Sequence, residues 1–586
     1  MVRRPIEKVF SLDRINQIYR AAKRLPPDRP FYRRVLDYLR INTVVSDEDL
    51  ARIPAKGPVV VVANHPFGGI EGLVMLDLLL RVRPDARIMV NYLLERIPEL
   101  RENFFFVNPF GGPQAARANV RTIKQCLEHL REGRLLGVFP AGAVSHLHLR
   151  QRVVTDPPWS PTIAGLIRRT GAVVVPVFFD GVNSKIFQLL GLIHPRLRTA
   201  MLPRQVWNKR GSDLRLFVGN PISRPTIDGF ESDEDLTAYM RLRTYMLKSR
   251  GQTHLRARRA WIKPPKGRQF ETIVAAEDPA LLEQELAALP PESLLTSNAE
   301  FRVFSARARQ IPRVLREIGR LREITFRRTG EGTGKCIDLD EFDNAYVHLF
   351  VWNHEQKQVV GAYRMGLTDE ILERDGVGGL YTATLFEFRG GLLEKLGPAL
   401  ELGRSFIRPE YQKGYMPLLL LWKGIGQFIL ARPKYKTLIG PVSITNDYST
   451  VSREVMVKFL QSQSAAPEMA RLVRPRTPFR GATVRGVTRL ELRNSQKVVK
   501  DLDDVSAIVS DVERDGKGVP ILMKQYLKMG AKIIGFNLDP DFANALDGLM
   551  VCDLTRTDKR QLDRYMGKEG AARFLEFHGV KPPAKP

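Results

Sequence analysis

The sequence predicts an α/β protein of more than one domain, and three observations carry that expectation. Between residues 55 and 225 short apolar, β-branched runs alternate with stretches of helical periodicity. At 586 residues the chain is too long for one core. A stretch of Pro pairs and shifting charge, 256–297, separates the alternating region from a second globular one.

Residues 1–50 read as basic amphipathic helices. Phe10, Ile15, Ile18 and Tyr19 are spaced for one face beside Arg14, Arg20, Lys23 and Arg24, which suits a helix packed on its own domain or one lying on a membrane. Across 51–255 the expected strands are Val59–Ala63, Ile88–Val90, Leu135–Phe139, Val173–Phe178 and Leu214–Val218. Helices are expected over 71–82, 113–132 and 161–170, which makes the sheet largely parallel. The linker 256–297 is basic, then acidic and helical. Residues 298–586 form the second domain, with strands over 346–353, 359–366, 400–407, 437–444 and 532–538. Its helices are expected over 308–323, 415–431 and 518–529, and 462–500 is basic and irregular.

Composition narrows the functional classes. The net charge is +27, from 91 basic and 64 acidic residues. That field attracts polyanions, anionic lipid surfaces or an acidic carrier protein. Cys126, Cys336 and Cys552 are too few and too scattered for a disulfide framework, which fits a reducing compartment. No signal-peptide apolar region opens the chain, and no apolar run approaches the roughly 18–20 residues that span a bilayer. A cytoplasmic protein, peripheral at the inner face of the membrane, is the expectation. Aromatics do not interleave with the basic residues as stacking platforms for nucleic acid would.

Four blocks of the first half fit one site. Asn64-His65-Pro66-Phe67-Gly68-Gly69-Ile70-Glu71 ends a buried strand with a histidine, and an acid follows. Asn108-Pro109-Phe110-Gly111-Gly112 precedes Arg117 and Arg121. Phe139-Pro140-Ala141-Gly142-Ala143-Val144-Ser145 opens a strand end into Gly-flanked backbone, and Val175-Pro176-Val177 precedes Asn183-Ser184. His146 and His148 lack further ligands at metal spacing.

These blocks resemble the glycerolipid (lysophosphatidic acid-type) acyltransferases, whose first motif is Asn-His, four residues, Asp, and whose third is Phe-Pro-Glu-Gly-Thr-Arg-Ser. The resemblance covers about 40–230 and implies a hydroxyl attacking a thioester. His65 would be the general base, Glu71 its orienting acid, and Asn64, Phe139, Pro140, Gly142 and Ser145 substrate-binding residues. Backbone N–H groups at Gly142 would serve the oxyanion. Glu71 stands one position beyond the family spacing. Ala141 and Val144 replace the family's Glu and Arg, so the implied acceptor carries no glycerol phosphate.

In the second half, Arg322 and Phe326 precede Asp340 and Asp343, then Arg364, then Glu401 and Arg404. Gly330-Glu331-Gly332-Thr333-Gly334-Lys335 lacks the Walker spacing for a nucleotide. The ordered series resembles the acyl-homoserine lactone synthases and ornithine-lipid N-acyltransferases of the N-acetyltransferase superfamily, over about 300–450. It implies Glu401 as proton acceptor from an amine, with Arg322, Phe326, Asp340, Asp343, Arg364 and Arg404 binding substrate. Asp340 and Asp343 would hold the amino acid's cationic group. Gly414 stands alone in the Tyr411–Met416 loop where coenzyme A enzymes use two glycines. The implied donor is therefore acyl carrier protein, with no resident cofactor or metal.

Both halves together imply α/β acyltransferase domains in one chain, as in bifunctional ornithine lipid synthases. The C-terminal half would N-acylate an amino acid, ornithine, with a 3-hydroxyacyl group. The N-terminal half would O-acylate the resulting lyso-aminolipid at a membrane surface. The alternatives are a lysophospholipid acyltransferase with a degenerate C-terminal module, and a basic membrane- or nucleic-acid-binding protein.

Overall fold

A computed structural model describes residues 12–108, 112–150, 152–250, 270–463, 466–479 and 498–580. The chain divides into two compact units, Met1–Ala260 with Thr483–Gly518, and Trp261–Ala482 with Val519–Pro586.

In the first unit the sheet strands are β1 (Asn42–Val44), β2 (Val59–Ala63), β3 (Arg87–Asn91), β4 (Phe104–Val107) and β5 (Leu135–Val138). A hairpin of β6 (His146–His148) and β7 (Val153–Thr155) follows, then β8 (Val173–Phe179) and β9 (Asp213–Val218) rejoin the sheet. The order is β1-β9-β8-β2-β5-β3-β4, parallel throughout except between β8 and β9. Every residue of β2 is buried, as a central strand covered on both faces requires. Val62 pairs with Val138, so the carboxyl ends of β2 and β5 deliver the first and third sequence blocks side by side.

The amphipathic face expected over 1–50 turns inward. Ile18 is buried, and Ile15 and Tyr19 pack against the core of their own unit. Tyr19 also donates to Glu99 at 3.1 Å. Helix Leu12–Arg24 is therefore a packed helix rather than a membrane anchor, and Phe10 lies outside the described residues.

Thr483–Gly518, expected within the domain 298–586, clusters instead with the first unit. Its helix Leu502–Val512 buries Val505, Ile508 and Val509. Asp511 accepts from Arg243 at 2.5 Å, and Tyr239 donates to Asp504 at 3.1 Å. Both partners sit on helix Asp233–Met246.

The second unit holds an eight-stranded sheet. Its strands, taken with two short ones outside it, are β10 (Leu294–Ser297), β11 (Phe301–Arg307), β12 (Val347–Asn353), β13 (Gln358–Leu367), β14 (Phe386–Phe388), β15 (Ala399–Ile407), β16 (Thr437–Ile444), β17 (Val473–Pro475), β18 (Lys532–Asp539) and β19 (Ala545–Asp553). The sheet order is β10-β11-β12-β13-β15-β16-β19-β18, while β14 and β17 pair separately. All sheet neighbours are antiparallel except β15 and β16. That parallel pair is short: Ala399–Glu401 meets Thr437–Ile439, and there the pairing ends although both strands continue. Beyond it β15 bulges against β13 between Ala362 and Arg364, with Arg404 at φ +47°. Helix Met416–Ala431 follows β15.

Candidate active sites

At the end of β2 the chain turns through Gly68, whose φ of +100° and ψ of −130° only glycine adopts readily. The turn starts helix Gly69–Leu80 and places Glu71 in its first turn. Glu71 is fully buried and its carboxylate meets His65 Nδ1 in a short contact. Phe67 N–H donates to Glu71 Oε1 at 2.5 Å and Gly68 N–H to Oε2 at 3.1 Å. The extra residue in the spacing is thus taken up by a Gly turn and by the longer reach of Glu. His65 keeps 19% of its side chain exposed and leans on the Phe139 ring, 4.7 Å between centroids. Burial disfavours the charged imidazole, but the Glu71 carboxylate outweighs it and pushes the His65 pKa up.

Asp156, which no motif singled out, joins the first and third blocks. It is buried and accepts the His65 backbone N–H at 3.1 Å through Oδ1. The same oxygen takes the Ser145 hydroxyl in a short hydrogen bond, and Oδ2 accepts from Trp159 Nε1 at 3.0 Å. Ser145 N–H also donates to His65 O at 2.8 Å. Helix Asp233–Met246 braces this corner: the Tyr245 hydroxyl accepts the Asp156 N–H at 2.8 Å, and Arg241 donates to Asp156 O at 3.3 Å.

Other predicted residues take structural roles. Asn64 clamps β2 to β8, donating to Phe179 O at 3.1 Å and accepting Phe179 N–H at 2.7 Å. The Gly142 N–H, expected to serve the oxyanion, instead donates to Phe139 O at 3.1 Å in a turn with φ +63°. Pro140 is buried and its carbonyl accepts the Ser160 N–H at 2.9 Å. Val144 packs with Phe187 and Met201, so no cation stands at that position. Arg117 and Arg121 are exposed on helix Gly112–Arg131, and Pro109, Phe110 and Gly111 lie outside the described residues. Lys209, also missed in the sequence, sets its ammonium 3.9 Å from the Phe67 ring centroid. Among the described residues no group of three or more His, Cys, Asp or Glu could hold a metal ion.

In the second unit Glu401 is buried on β15. It accepts Thr382 N–H at 2.7 Å, Tyr381 N–H at 3.2 Å and the Tyr346 hydroxyl in a short hydrogen bond. Burial, then the adjacent Glu401, pushes the Tyr346 phenol far up, so it remains a donor. Glu401 and Arg404 flank Tyr381: Glu401 takes its N–H, and the Arg404 guanidinium lies 5.1 Å over its ring.

Arg404 ion-pairs with Asp338 at 3.6 Å and Asp340 at 3.5 Å. Arg364 pairs with Asp343 at 3.4 Å and, in a closer contact, with Asp340. Arg322 donates to Asp343 at 2.8 Å. Burial opposes ionisation of Asp343, yet Arg322 and Arg364 prevail and hold its carboxyl well below the usual range. Asp343 is thus occupied by two arginines rather than open to a substrate cation. Asp340 is the more exposed acid, at 26%. Buried Arg364 Nε and Nη2 have no protein acceptor, which suits them to a carboxylate. Phe326 meets Phe542 edge to face at 5.1 Å, and Phe542 underlies Arg404 at 4.6 Å.

A carboxylate-backed histidine at the carboxyl end of a central parallel strand, and a buried glutamate on the strand where a second sheet splays, belong to a chain of two acyltransferase domains. Residues 1–253 match the family described as Acyltransferase, and residues 321–422 the family described as Acetyltransferase (GNAT) domain. A glycine N(alpha)-acyltransferase of Phocaeicola vulgatus is 31% identical over 278 residues, 44% of this chain and 81% of the relative. Its counterpart in Bacteroides thetaiotaomicron is 30% identical over 306 residues, 50% of this chain and 89% of the relative. A lyso-glycine lipid O-acyltransferase of Bacteroides thetaiotaomicron is 26% identical over 257 residues, 41% of this chain and 88% of the relative. The chain belongs to the acyltransferase family that the two N-acyltransferases represent, and it joins N-acyl and lipid O-acyl relatives in one polypeptide.

Proposed function

We propose that this chain carries out two successive acylations that make a phosphorus-free aminolipid. The observation that supports this is a titratable pair in each unit, His65 against buried Glu71 in one and buried Glu401 against Tyr346 in the other, which would serve as the two proton acceptors.

The second unit joins a 3-hydroxyacyl group to an amino acid's amine. Glu401 takes the proton as the amine attacks the thioester carbonyl, the amide bond forms, and the thiol of the carrier leaves. Arg364 and Arg404 receive the amino acid's carboxylate. The acyl donor is an acyl carrier protein, whose acidic surface suits the net charge of +27. The single Gly414 in the exposed loop before helix Met416–Ala431 supports a protein-bound donor over free coenzyme A. Ornithine is the substrate this reading favours. The resemblance to ornithine-lipid N-acyltransferases is what favours it. Glycine, which the relatives' names specify, is the second reading.

The first unit then acylates the 3-hydroxyl, whose oxygen attacks a second acyl thioester, so that an ester bond forms and the thiol leaves. His65 removes the hydroxyl proton and Glu71 steadies the imidazolium, at the inner face of the cytoplasmic membrane. The buried Val144 in place of a cation supports an acceptor without glycerol phosphate.

Lipid mass spectrometry of a host lacking aminolipids tests this, with ornithine and glycine supplied in separate cultures. A new diacyl aminolipid is expected. His65→Ala accumulates the mono-acylated lyso form and Glu401→Ala abolishes both. An unchanged lipid profile, or a diacyl product intact in His65→Ala, overturns the reading.

A further inference from the structure

Helix Lys185–Ile193 is apolar on its exposed face as well as on its packed one. One face seats Phe187 and Leu190 against Val144 and Met201. The other exposes Ile186, Leu189 and Ile193, with Val182 just before the helix, at positions spaced for a single stripe. Beside it, the tip of the β6–β7 hairpin exposes Leu149. These five aliphatic side chains are 52–73% exposed. Single exposed aliphatics are ordinary, but five on adjoining elements form a patch that water disfavours.

The two elements are joined. Gln188 on the buried side of the helix accepts the Leu147 N–H of β6 at 2.9 Å. The rim is cationic, with Lys185 at the helix start and Arg150 and Arg152 in the hairpin turn, all exposed. Apolar centre and basic rim together match the chemistry of an interfacial helix on an anionic bilayer.

The patch adjoins His65. Asn183, immediately before the helix, donates to Phe67 O at 3.1 Å, and Phe67 is two residues from His65. Val144, which seats the helix, precedes Ser145, whose N–H donates to His65 O.

We propose that helix Lys185–Ile193 and the β6–β7 hairpin tip are the surface by which this protein docks on an anionic lipid bilayer, with the His65 site at the contact. The inference rests on the O-acylation reading for its meaning, since a lyso-lipid acceptor would then reach His65 without crossing water. The central aliphatics select lipid over an acidic carrier protein, which charge alone would hold. The helix Leu12–Arg24, whose apolar face is buried, is not needed for it.

The test is co-sedimentation of the full chain with phosphatidylcholine vesicles, with and without phosphatidylglycerol. It reads binding without turnover, so it succeeds or fails independently of the lipid analysis above. The wild type is expected to bind the anionic vesicles, and Leu189→Glu with Ile193→Glu to bind at least about tenfold more weakly. Val120→Glu, equally exposed on another helix at 57%, should bind as the wild type does. Should the double variant melt early, Leu149→Glu at the hairpin tip provides the same reading. Equal vesicle binding by wild type and variants overturns the proposal. So does a variant that dissociates a dimer, or loses acyl carrier protein, while its vesicle binding is unchanged.

Discussion

Replacing Glu71 with Gln removes one charge from a fully enclosed position and changes little in shape. The carboxylate offers two oxygens to three partners: Phe67 N–H, Gly68 N–H and His65 Nδ1. The amide offers one oxygen. If it faces Phe67, the NH2 group confronts the Gly68 N–H and makes Nδ1 an acceptor, which moves the imidazole proton to Nε2. If it faces His65, the buried Phe67 N–H is orphaned, at a cost of about 1–3 kcal/mol. The first arrangement leaves the wrong tautomer for a base acting through Nε2, and O-acyl transfer should fall about 10³–10⁴-fold. The assay follows diacyl lipid from lyso-lipid and acyl donor by mass spectrometry, with N-acylation by the same preparation as the control for folding. A pH profile separates orientation from damage. With neutral His65 as the proposed base, the wild-type rate should rise as pH climbs through its raised pKa. Without Glu71, burial lowers that pKa against the weaker pull of Asp156 only, so the rise should move to lower pH. A Gln variant within about threefold of wild type, with its acid limb unmoved, refutes the role of Glu71.

Two further outcomes concern stability. Asp511→Asn leaves Arg243 buried without its carboxylate and should destabilise the first unit by about 3–5 kcal/mol, read by thermal melting, because Arg243 and Asp511 are 2% and 0% exposed; a melt unchanged within error contradicts the docking of Leu502–Val512 as the anchor of that unit. In the second unit burial, reinforced by Asp539, pushes the Asp547 carboxyl up to about 7. Burial and then Asp547 raise Glu331 to about 8. The unfolded chain loses both protons above about pH 5 while the folded chain retains them, so stability falls as pH climbs from about 4 to about 8. Asp547→Asn with Glu331→Gln should shrink the loss of melting temperature between those limits by about 4 °C or more, and an equal loss in the variant counts against it.

The strands that position the first site were legible because a central parallel strand, covered on both faces, needs an unbroken apolar run. Val59–Ala63 and Val173–Phe179 provide it. Edge strands such as Asn42–Val44 have only three residues to announce them. Ala545–Asp553, fully within the second sheet, was missed because Asp547 and Gly548 interrupt its pattern. Asp547 is tolerated there since Ser443, directly across the ladder, donates to it at 2.7 Å.

The sequence by itself determined the two α/β units, the placing of His65 at a strand end and of Glu401 on a strand, and the acid that follows the histidine at an unusual spacing. These are local facts, carried by runs, turns and motifs. Only the tertiary structure decided that Glu71 reaches His65, because the direction of Gly68 sets the helix start. It alone brought Asp156 to the histidine from 91 residues away and took Asp343 out of reach behind Arg322. It also turned the N-terminal apolar face inward and left that of Lys185–Ile193 outward. Periodicity tells which residues share a face, but what covers that face depends on elements remote in sequence.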